Sequence, residues 1–286
     1  MRRVMINWPD RLVEDLAKKR CVIFLGSGVS ANSKNDKGQH PPTWANFLTE
    51  GADSLNAKCD RKLIKGEINR HDYLLACELL RKKLGRDGYN ELLRRRFQNG
   101  YHHADIHRDI FMLDALIYIT PNFDKIFDTY VTTQTEGNTV IKQYYDDDIL
   151  DYIRSERNLI LKIHGSIDTP DRLIFTKGDY ARARTKNADF YKIFEALVLT
   201  RTFLFLGAGL NDPDVQLVLE NTAFTYRNSS KHFFVIPNTS RDILDIYREN
   251  MNLDFITYDS KDNHQQLLDG IKDLYAKVQD AMNVNV

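Results

Sequence analysis

Six short apolar runs recur along this 286-residue chain, and they constrain its fold more than any other feature. Most are continuously apolar and do not alternate with polar residues, which is typical of strands buried on both faces of a sheet. Helical patterns separate them, as in the crossovers of a parallel sheet. The sequence therefore predicts a Rossmann-like α/β fold with a parallel sheet of about six strands. The predicted strands are residues 21–25, 115–120, 159–163, 202–206, 232–236 and 255–257.

The segment between the first two runs differs from the rest of the chain. Residues 40–113 contain almost no β-rich run and instead show amphipathic helical patterns at 44–48, 74–80 and 89–93. No repeat or low-complexity linker divides the sequence. We therefore expect one domain over residues 1–286, with a helical insertion at 40–113.

Composition argues against several classes of protein. Lys plus Arg and Asp plus Glu number 40 each, so the formal net charge is zero and gives no support to a broad nucleic-acid or membrane surface. The three cysteines, Cys21, Cys59 and Cys77, form no CxxC pair and allow neither a disulfide framework nor a zinc ribbon. Neither a signal-peptide pattern nor a segment of membrane-spanning length is found. We expect a soluble, cytoplasmic protein.

The first apolar run ends in a glycine loop, Gly-Ser-Gly-Val-Ser at residues 26–30. A strand that breaks into such a loop and then a helix presents backbone N–H groups and a positive helix end, which suit a pyrophosphate. The spacing Gly26-x-Gly28-x-x-Ala31 meets a degenerate dinucleotide fingerprint. A tight turn without a ligand explains it equally well. Glu50 lies at the distance of an acidic ribose anchor but follows no strand.

Small or polar residues follow three further predicted strands, at 120–124, 164–166 and 207–213. Because ligands bind outside the carboxyl ends of parallel strands, these groups should meet at one sheet edge. His164 can accept a proton there, although it can also cap a loop carbonyl. Asn122 and Asp124 suit ribose hydroxyls or a water, but can instead be a helix N-cap and a first-turn charge. The convergence predicts a ligand site more strongly than any single motif.

In order and approximate spacing, these motifs resemble those of the sirtuin-like NAD-consuming family, in particular its prokaryotic branch in antiviral defence. The resemblance covers residues 20–215, and the strand pattern extends it to the C-terminus. Pro121 stands where the family has a glutamine. The matching elements are the glycine loop at 26–30, the Thr-x-Asn-x-Asp element at 120–124, the His-Gly element at 164–165 and the small-residue nucleotide loop at 207–210.

The resemblance implies a role for each site residue. Asn122 is expected to position ribose or water, His164 to act as general base, and Asp124 to support the nicotinamide ribose. Cleavage of the N-glycosidic bond develops oxocarbenium character, which calls for strained positioning and a held water and not for a metal. NAD+ is thus expected as a substrate. Its expected binding residues are Gly26, Ser27, Gly28, Ser30, Gly207, Gly209 and Asn211.

The activity that the resemblance implies is hydrolysis of NAD+ to nicotinamide and ADP-ribose, by the NAD-depleting effector of an antiphage system. Zinc-free protein deacylation is a poorer alternative, because residues 32–44 lack the family's aspartate in register. A non-catalytic regulatory subunit that binds NAD or ADP-ribose is the other alternative. Regulation is expected through homo-oligomerisation or a partner, with a HerA-type ATPase favoured over an Argonaute-like protein.

Three further groups of residues have ordinary as well as functional explanations. His103 and His107 can share a helix face as metal ligands. The acidic residues 146–148 can hold Mg²⁺, or they can be solvated and stabilise the dipole of a following helix. The basic residues 82–83 and 94–96 can contact nucleic acid or face solvent, so a nuclease interpretation ranks last.

Overall fold

The computed structural model describes residues 5–210, 212–227 and 229–284. Within these ranges seven strands form one sheet, in the order β3-β4-β2-β1-β5-β6-β7, and each neighbouring pair is parallel. The Rossmann-like α/β prediction is therefore confirmed. The strands are β1 Cys21–Leu25, β2 Ile117–Thr120, β3 Val140–Gln143, β4 Leu159–Lys162, β5 Thr202–Leu206, β6 His232–Pro237 and β7 Leu253–Tyr258.

Helices cover both faces of the sheet, because its strands are apolar on both sides. The α1, α6, α7 and α13 helices pack on one face, and α8 and α10–α12 on the other. The helices are α1 Asp10–Ala17, α2 Ser27–Ser30, α3 Trp44–Asp53, α4 Lys58–Asn69, α5 Tyr73–Phe97, α6 Asp105–Phe111, α7 Ile126–Gln134, α8 Ile149–Arg154, α9 Lys177–Lys186, α10 Ala188–Thr200, α11 Pro213–Thr225, α12 Arg241–Met251 and α13 Lys261–Val284, with a 3-10 helix at Pro170–Arg172. In the described part of the chain, no helix is both long and apolar enough to cross a membrane.

One strand was missing from the prediction. β3 lies at the edge of the sheet, and all four of its residues are only half-buried. Its sequence, Val-Ile-Lys-Gln, is half polar and too short to alternate clearly, so it lacks the continuous apolar run of the central strands. The sheet therefore has seven strands instead of about six.

The helical segment after β1 has a hydrophobic cluster of its own. Helices α3, α4 and α5 share this cluster with Ile167, Leu173 and Phe175, which follow β4. By contrast, α6 packs into the core of the main sheet. We propose that residues 40–113 are a helical insertion within a single domain, and the shared cluster supports α3–α5 as its body.

The strand order reverses between β1 and β5. From β1 the chain continues to β2 on one side, whereas β5 pairs with β1 on the other side, with Leu25 opposite Leu206. Gly26 extends this pairing by donating its backbone N–H to the Leu206 carbonyl at 2.9 Å. Such a reversal is the place where open α/β sheets bind ligands. The fold thus brings the glycine loops at 26–28 and 207–209 to the expected binding edge.

Candidate functional site

Strand register pairs the strand ends that precede two of the three predicted catalytic residues, Asn122 and His164. Thr120 of β2 is the partner of Lys162 of β4. Asn122 and His164 each lie two residues beyond this pair. No hydrogen bond joins the two side chains among the described contacts.

Asn122 is held by the glycine loop. Its amide nitrogen Nδ2 donates to the Gly26 carbonyl at 3.0 Å and to Ser30 Oγ at 3.1 Å. The N-cap of α7 is Lys125, so Asn122 is not the helix cap that its local sequence allowed. Both amide protons are used, and within the described structure Oδ1 accepts no hydrogen bond. The side chain therefore presents a fixed acceptor.

Asp124 is buried, and its two oxygens have different partners. Oδ2 accepts from Ser30 Oγ at 2.8 Å, and Oδ1 accepts from the backbone N–H of Ile126 at 3.0 Å, the first residue of α7. Asp124 precedes the N-cap, Lys125, so it is not the first-turn charge that its local sequence allowed, although one oxygen accepts from the first N–H of α7. The other oxygen completes a chain of hydrogen bonds from Asn122 through Ser30 to Asp124. This chain fixes the direction of the Ser30 hydroxyl.

A buried ion pair lies beneath this chain. Lys162 Nζ donates to the Asp124 carbonyl at 2.6 Å and to Asp128 Oδ2 at 2.7 Å. Burial raises the pKa of Asp128, and the Lys162 ammonium opposes that shift. The pair ties the β2–α7 connection to β4. A cavity of about 10 Å³, close to the size that holds one water molecule, lies here and is lined by Leu25, Val29, Ser30, Thr120, Asn122, Asp124, Phe127, Asp128 and Lys162.

His164 is buried against the loop that follows β5. Its Nε2 lies 3.2 Å from Asp212 Oδ2, at ion-pair distance but without the alignment of a straight hydrogen bond. The edge of the Tyr180 ring packs against the imidazole, with ring centroids 5.3 Å apart. The ring thus faces Asp212 and Tyr180 and does not cap a loop carbonyl. Nδ1 has no hydrogen-bond partner in the described ranges.

Asp212 is fixed by the start of α11. Its Oδ1 accepts from the backbone N–H groups of Asp214 and Val215 at 3.0 and 3.1 Å. Its Oδ2 accepts from the Tyr180 hydroxyl at 3.2 Å. Burial, followed by the charge of Asp212, raises the pKa of Tyr180, so this hydroxyl remains a donor at neutral pH. His164 and Tyr180 therefore share one carboxylate oxygen.

The two glycine loops contact each other directly. Gly28 donates its N–H to the Gly207 carbonyl at 2.8 Å, and a Cβ atom on Gly26 would lie 2.3 Å from Ala208 Cα. Gly207 has a φ of +59°, which favours glycine. The α2 helix has only four residues, and the Gly26 and Gly28 N–H groups already donate to Leu206 and Gly207, so these two N–H groups are not free for a phosphate. These glycines permit the close approach of the loops.

The remaining expected NAD+-binding residues differ in exposure. Ser27 and Gly209 are exposed, as is Gly28, whereas Ser30 is buried in the chain of hydrogen bonds described above. Asn211 lies outside the described residues. The exposed members are the ones that a ligand can reach without displacing protein groups.

Sequence reasoning did not assign Lys162, Asp212 or Tyr180 to the site. Lys162 carries a signal that could have found it, since a lone charge within an apolar strand requires a buried partner. Asp212 precedes Pro213 and reads as an ordinary helix start. Its contacts with His164 and Tyr180 depend on tertiary structure, which no local pattern reports.

The other groups singled out in the sequence have local structural partners. The His103 ring packs on Tyr130, while His107 Nδ1 contacts the Ala104 backbone, and the described residues contain no group of three or more His, Cys, Asp or Glu suited to a metal. Asp148 pairs with Lys142. Glu50 pairs with both Arg95 and Arg96 of the basic helix. These residues need no ligand to explain them.

A larger cavity of about 370 Å³ shares no lining residue with the sheet edge. It lies between α5 and residues 170–179, and its charged side chains pair with one another, Arg81 with Asp179 and Arg86 with Asp171. These ion pairs leave no unpaired charge to define a ligand.

A parallel sheet whose strand order reverses beside two facing glycine loops belongs to the Rossmann-like class of α/β proteins. Within that class, residues 116–256 match the model of the SIR2-like domain. This part of the chain, slightly less than half of it, is therefore similar to a SIR2-like domain.

Curated relatives agree with this family. The chain is 24% identical over 233 residues to "NAD(+) hydrolase ThsA" of Acinetobacter baumannii (strain 532279), covering 81% of this chain and 45% of the relative. It is 23% identical to the protein of the same name from Enterococcus faecium, covering 79% and 45%. It is also 23% identical over 251 residues to "Defense-associated sirtuin 2" of Bacillus subtilis, covering 86% and 24%. The chain thus spans less than half the length of these relatives.

Proposed function

We propose that this chain hydrolyses NAD+ at the bond between nicotinamide and ribose, releasing nicotinamide and ADP-ribose. The observation that carries the proposal is the register of β2 and β4, which pairs the two strand ends that precede Asn122 and His164 at the carboxyl edge of the sheet. Relatives named as NAD+ hydrolases support the same activity. A protein that only binds a nucleotide needs the glycine loops but has no need for a base beside them.

Asn122 is the proposed positioning group for water or ribose. Its Nδ2 is bonded to Gly26 and Ser30, so the amide cannot turn freely and Oδ1 is the acceptor that remains. An acceptor fixed in this way lowers the entropic cost of orienting a water or hydroxyl for attack. Asp124 is proposed to support the ribose region through Ser30, since both of its oxygens already accept hydrogen bonds.

His164 is the proposed general base. It follows β4 by two residues, as Asn122 follows the neighbouring β2, and Nδ1 is its free nitrogen within the described structure. Proton transfer by a positioned side chain contributes about 10²- to 10⁴-fold to a rate. Developing positive charge on the ribose is compatible with the carboxylates of Asp124 and Asp212 at this edge.

NAD+ binding is proposed at Gly26, Ser27, Gly28, Ser30, Gly207, Gly209 and Asn211. Because Gly28 already donates to Gly207, the first contacts with the nucleotide are expected at the exposed residues Ser27 and Gly209. Full engagement of the Gly28 N–H then requires the two loops to separate. A form of the protein with closed loops is consistent with an activity that is restrained until a signal arrives.

The proposed biological role is depletion of NAD+ in an antiphage defence system. The name of the Bacillus subtilis relative supports a role in defence. Regulation is proposed through a homo-oligomer or through a partner, for which a HerA-type ATPase is our first candidate and an Argonaute-like protein the second. Native mass measurement of the chain with each partner tests these two assemblies.

The activity is tested by following nicotinamide release from NAD+ with the purified chain, alone and with each partner. Asn122→Ala and His164→Ala should each lower the rate by at least about 100-fold while the unfolding midpoint shows that the protein is folded. Glu136→Ala, an exposed turn residue, is the control. If the chain binds the nucleotide but releases no nicotinamide, either alone or with each partner, the enzyme hypothesis is rejected in favour of a nucleotide-binding subunit.

A further inference from the structure

Three polar groups from distant segments meet beside the proposed base. His164 follows β4, Tyr180 lies in α9, and Asp212 begins α11. His164 and Tyr180 are each 5% exposed, and both lie 3.2 Å from the same oxygen, Asp212 Oδ2. A carboxylate that serves only as a helix cap needs neither of these contacts.

The orientation of the second carboxylate oxygen of Asp212, Oδ2, is fixed by the first. Oδ1 is held by two backbone N–H groups at the start of a thirteen-residue helix, so the carboxylate plane is fixed and Oδ2 points at the imidazole and phenol. A carboxylate beside an imidazole favours the proton on the nearer ring nitrogen, which fixes the tautomer. Here the nearer nitrogen is Nε2, and Nδ1 would then carry the lone pair.

We propose that Asp212 is a positioning residue for His164, which keeps the ring proton on Nε2 and leaves Nδ1 as the proton acceptor. Tyr180 donates to the same oxygen and shields it from water. The consequence for catalysis rests on the proposed NAD+ hydrolysis. The tautomer itself does not, because it is a property of the free protein.

Asp212→Asn separates this role from capping. Asparagine caps a helix as well as aspartate, so α11 should form. Its amide keeps an oxygen toward the Asp214 and Val215 N–H groups and presents an NH₂ donor where Oδ2 was. Nε2 must then accept a hydrogen bond, which moves the ring proton to Nδ1 and removes the base. An equivalent exchange beside a catalytic histidine lowers kcat about 10⁴-fold through the wrong tautomer.

The matched control is Asp72→Asn. Asp72 is also the N-cap of a helix, α5, with one oxygen on a backbone N–H and the other on a cation, Lys177. It makes no contact with His164. This exchange should leave both the His164 tautomer and the rate of NAD+ cleavage unchanged.

The test is ¹⁵N NMR of the imidazoles in the intact chain, with the His164 signals assigned by their loss in His164→Gln. The parent protein should show Nε2–H and Asp212→Asn should show Nδ1–H, while nicotinamide release falls by about 10²- to 10⁴-fold. An Nε2–H tautomer in Asp212→Asn, or an Nδ1–H tautomer in the parent, overturns the proposal.

Two further outcomes separate this inference from the proposed function. A tautomer that switches in a chain without any NAD+ cleavage keeps the positioning role and rejects the enzyme. A switched tautomer with a full rate overturns the catalytic role of Asp212. If Asp212→Asn does not fold, Asp212→Ser keeps a capping oxygen and removes the carboxylate, and it should give a mixture of both tautomers. A pure Nε2–H form in that variant also rejects the proposal.

Discussion

The two sides of the sheet edge are built differently. On the β2 side, Asn122, Ser30, Asp124, Lys162 and Asp128 form one continuous network, and none of them has a buried polar atom without a partner. On the β5 side, Asp212 lies beside the buried Nε2 of His164 without forming a straight hydrogen bond, and the glycine loops meet through their backbones. A fully satisfied buried network is rigid, whereas an incompletely paired one can adjust.

This difference indicates that the β2 side and the β5 side have different roles. The β2 side is a preformed frame that fixes an acceptor before any ligand arrives, as a positioning group requires. The β5 side has contacts that a substrate can improve, namely the His164–Asp212 alignment and the Gly28–Gly207 hydrogen bond. Variants of the frame should therefore mainly lower the free energy of unfolding. Variants of the β5 side should mainly lower the rate of NAD+ cleavage and change the free energy of unfolding little.

The largest loss of stability is expected for Lys162→Met. The change leaves Asp128 buried without its cation and the Asp124 carbonyl without its donor, and breaking a buried pair costs about 3–5 kcal/mol of unfolding free energy. Urea unfolding measures this loss. Arg86→Met, which breaks an ion pair whose arginine is 74% exposed, is the control and should hardly move the midpoint.

The double variant Lys162→Met with Asp128→Leu sharpens this prediction. Replacing both members of a buried pair with apolar residues is often neutral, so much of the lost stability should return. Equal midpoints for Lys162→Met and Arg86→Met would show that the β2 side is not a rigid frame.

Gly26→Ala should be the next most costly change, because it acts where the two sides meet. The added Cβ would lie 2.3 Å from Ala208 Cα and 2.4 Å from the Gly207 carbonyl oxygen, both of them backbone atoms. Overpacking of this kind costs about 3 kcal/mol. Gly209→Ala is the control, since a Cβ there meets no atom within 4 Å. Thermal unfolding compares the two, and similar midpoints would mean that the loops separate easily.

Much of the sheet could be predicted from sequence, because its central strands depend on patterns local to each strand. The continuous apolar runs at β1 and β5 gave both strands with their observed bounds, and the motif order placed Asn122 and His164 at one edge. β3 was missed because an edge strand with Lys142 and Gln143 has no such run. The Lys162–Asp128 pair joins residues 34 positions apart, and only the tertiary fold brings them into contact.

The glycine loops show what a local sequence pattern does not predict. Their spacing predicted free N–H groups for a phosphate, yet Gly28 donates to Gly207 across the sheet. A glycine in such a loop indicates that another group approaches the backbone closely, but the sequence does not show whether that group belongs to a ligand or to another loop. Asp212 has the same ambiguity, since its cap is local and its contact with His164 is not.

Acidification should weaken the β2 side through His107, which lies in α6 with its ring 6.4 Å from that of Phe127, a residue lining the cavity below Asn122. Burial lowers the pKa of His107 to about 4. The unfolded chain binds this proton at a higher pH than the folded one, so stability falls as the pH drops from about 6.5 toward 4. Between pH 7 and pH 5 the loss should be about 2 kcal/mol.

His107→Gln tests this by urea unfolding at the two pH values. Glutamine does not titrate, so the difference between them should shrink by about 2 kcal/mol. Burial also lowers the pKa of His232 to about 4, so part of the pH dependence should remain. His103→Gln, at an exposed position, is the control, and an unchanged difference in His107→Gln would contradict the prediction.

The smallest expected loss of stability is that of Ser30→Ala, and it separates the two sides most directly. The change removes the hydroxyl between Asn122 and Asp124, at a cost of about 1 kcal/mol. The Asn122 amide keeps its bond to Gly26 but can then rotate, so nicotinamide release should fall about tenfold if the proposed function holds. Tyr180→Phe removes one hydroxyl on the β5 side and should cost no more stability, because Asp212 keeps both backbone donors. Unfolding midpoints and initial rates of both variants make the comparison, and a larger stability loss in Tyr180→Phe than in Ser30→Ala would reverse the assignment of frame and adjustable side.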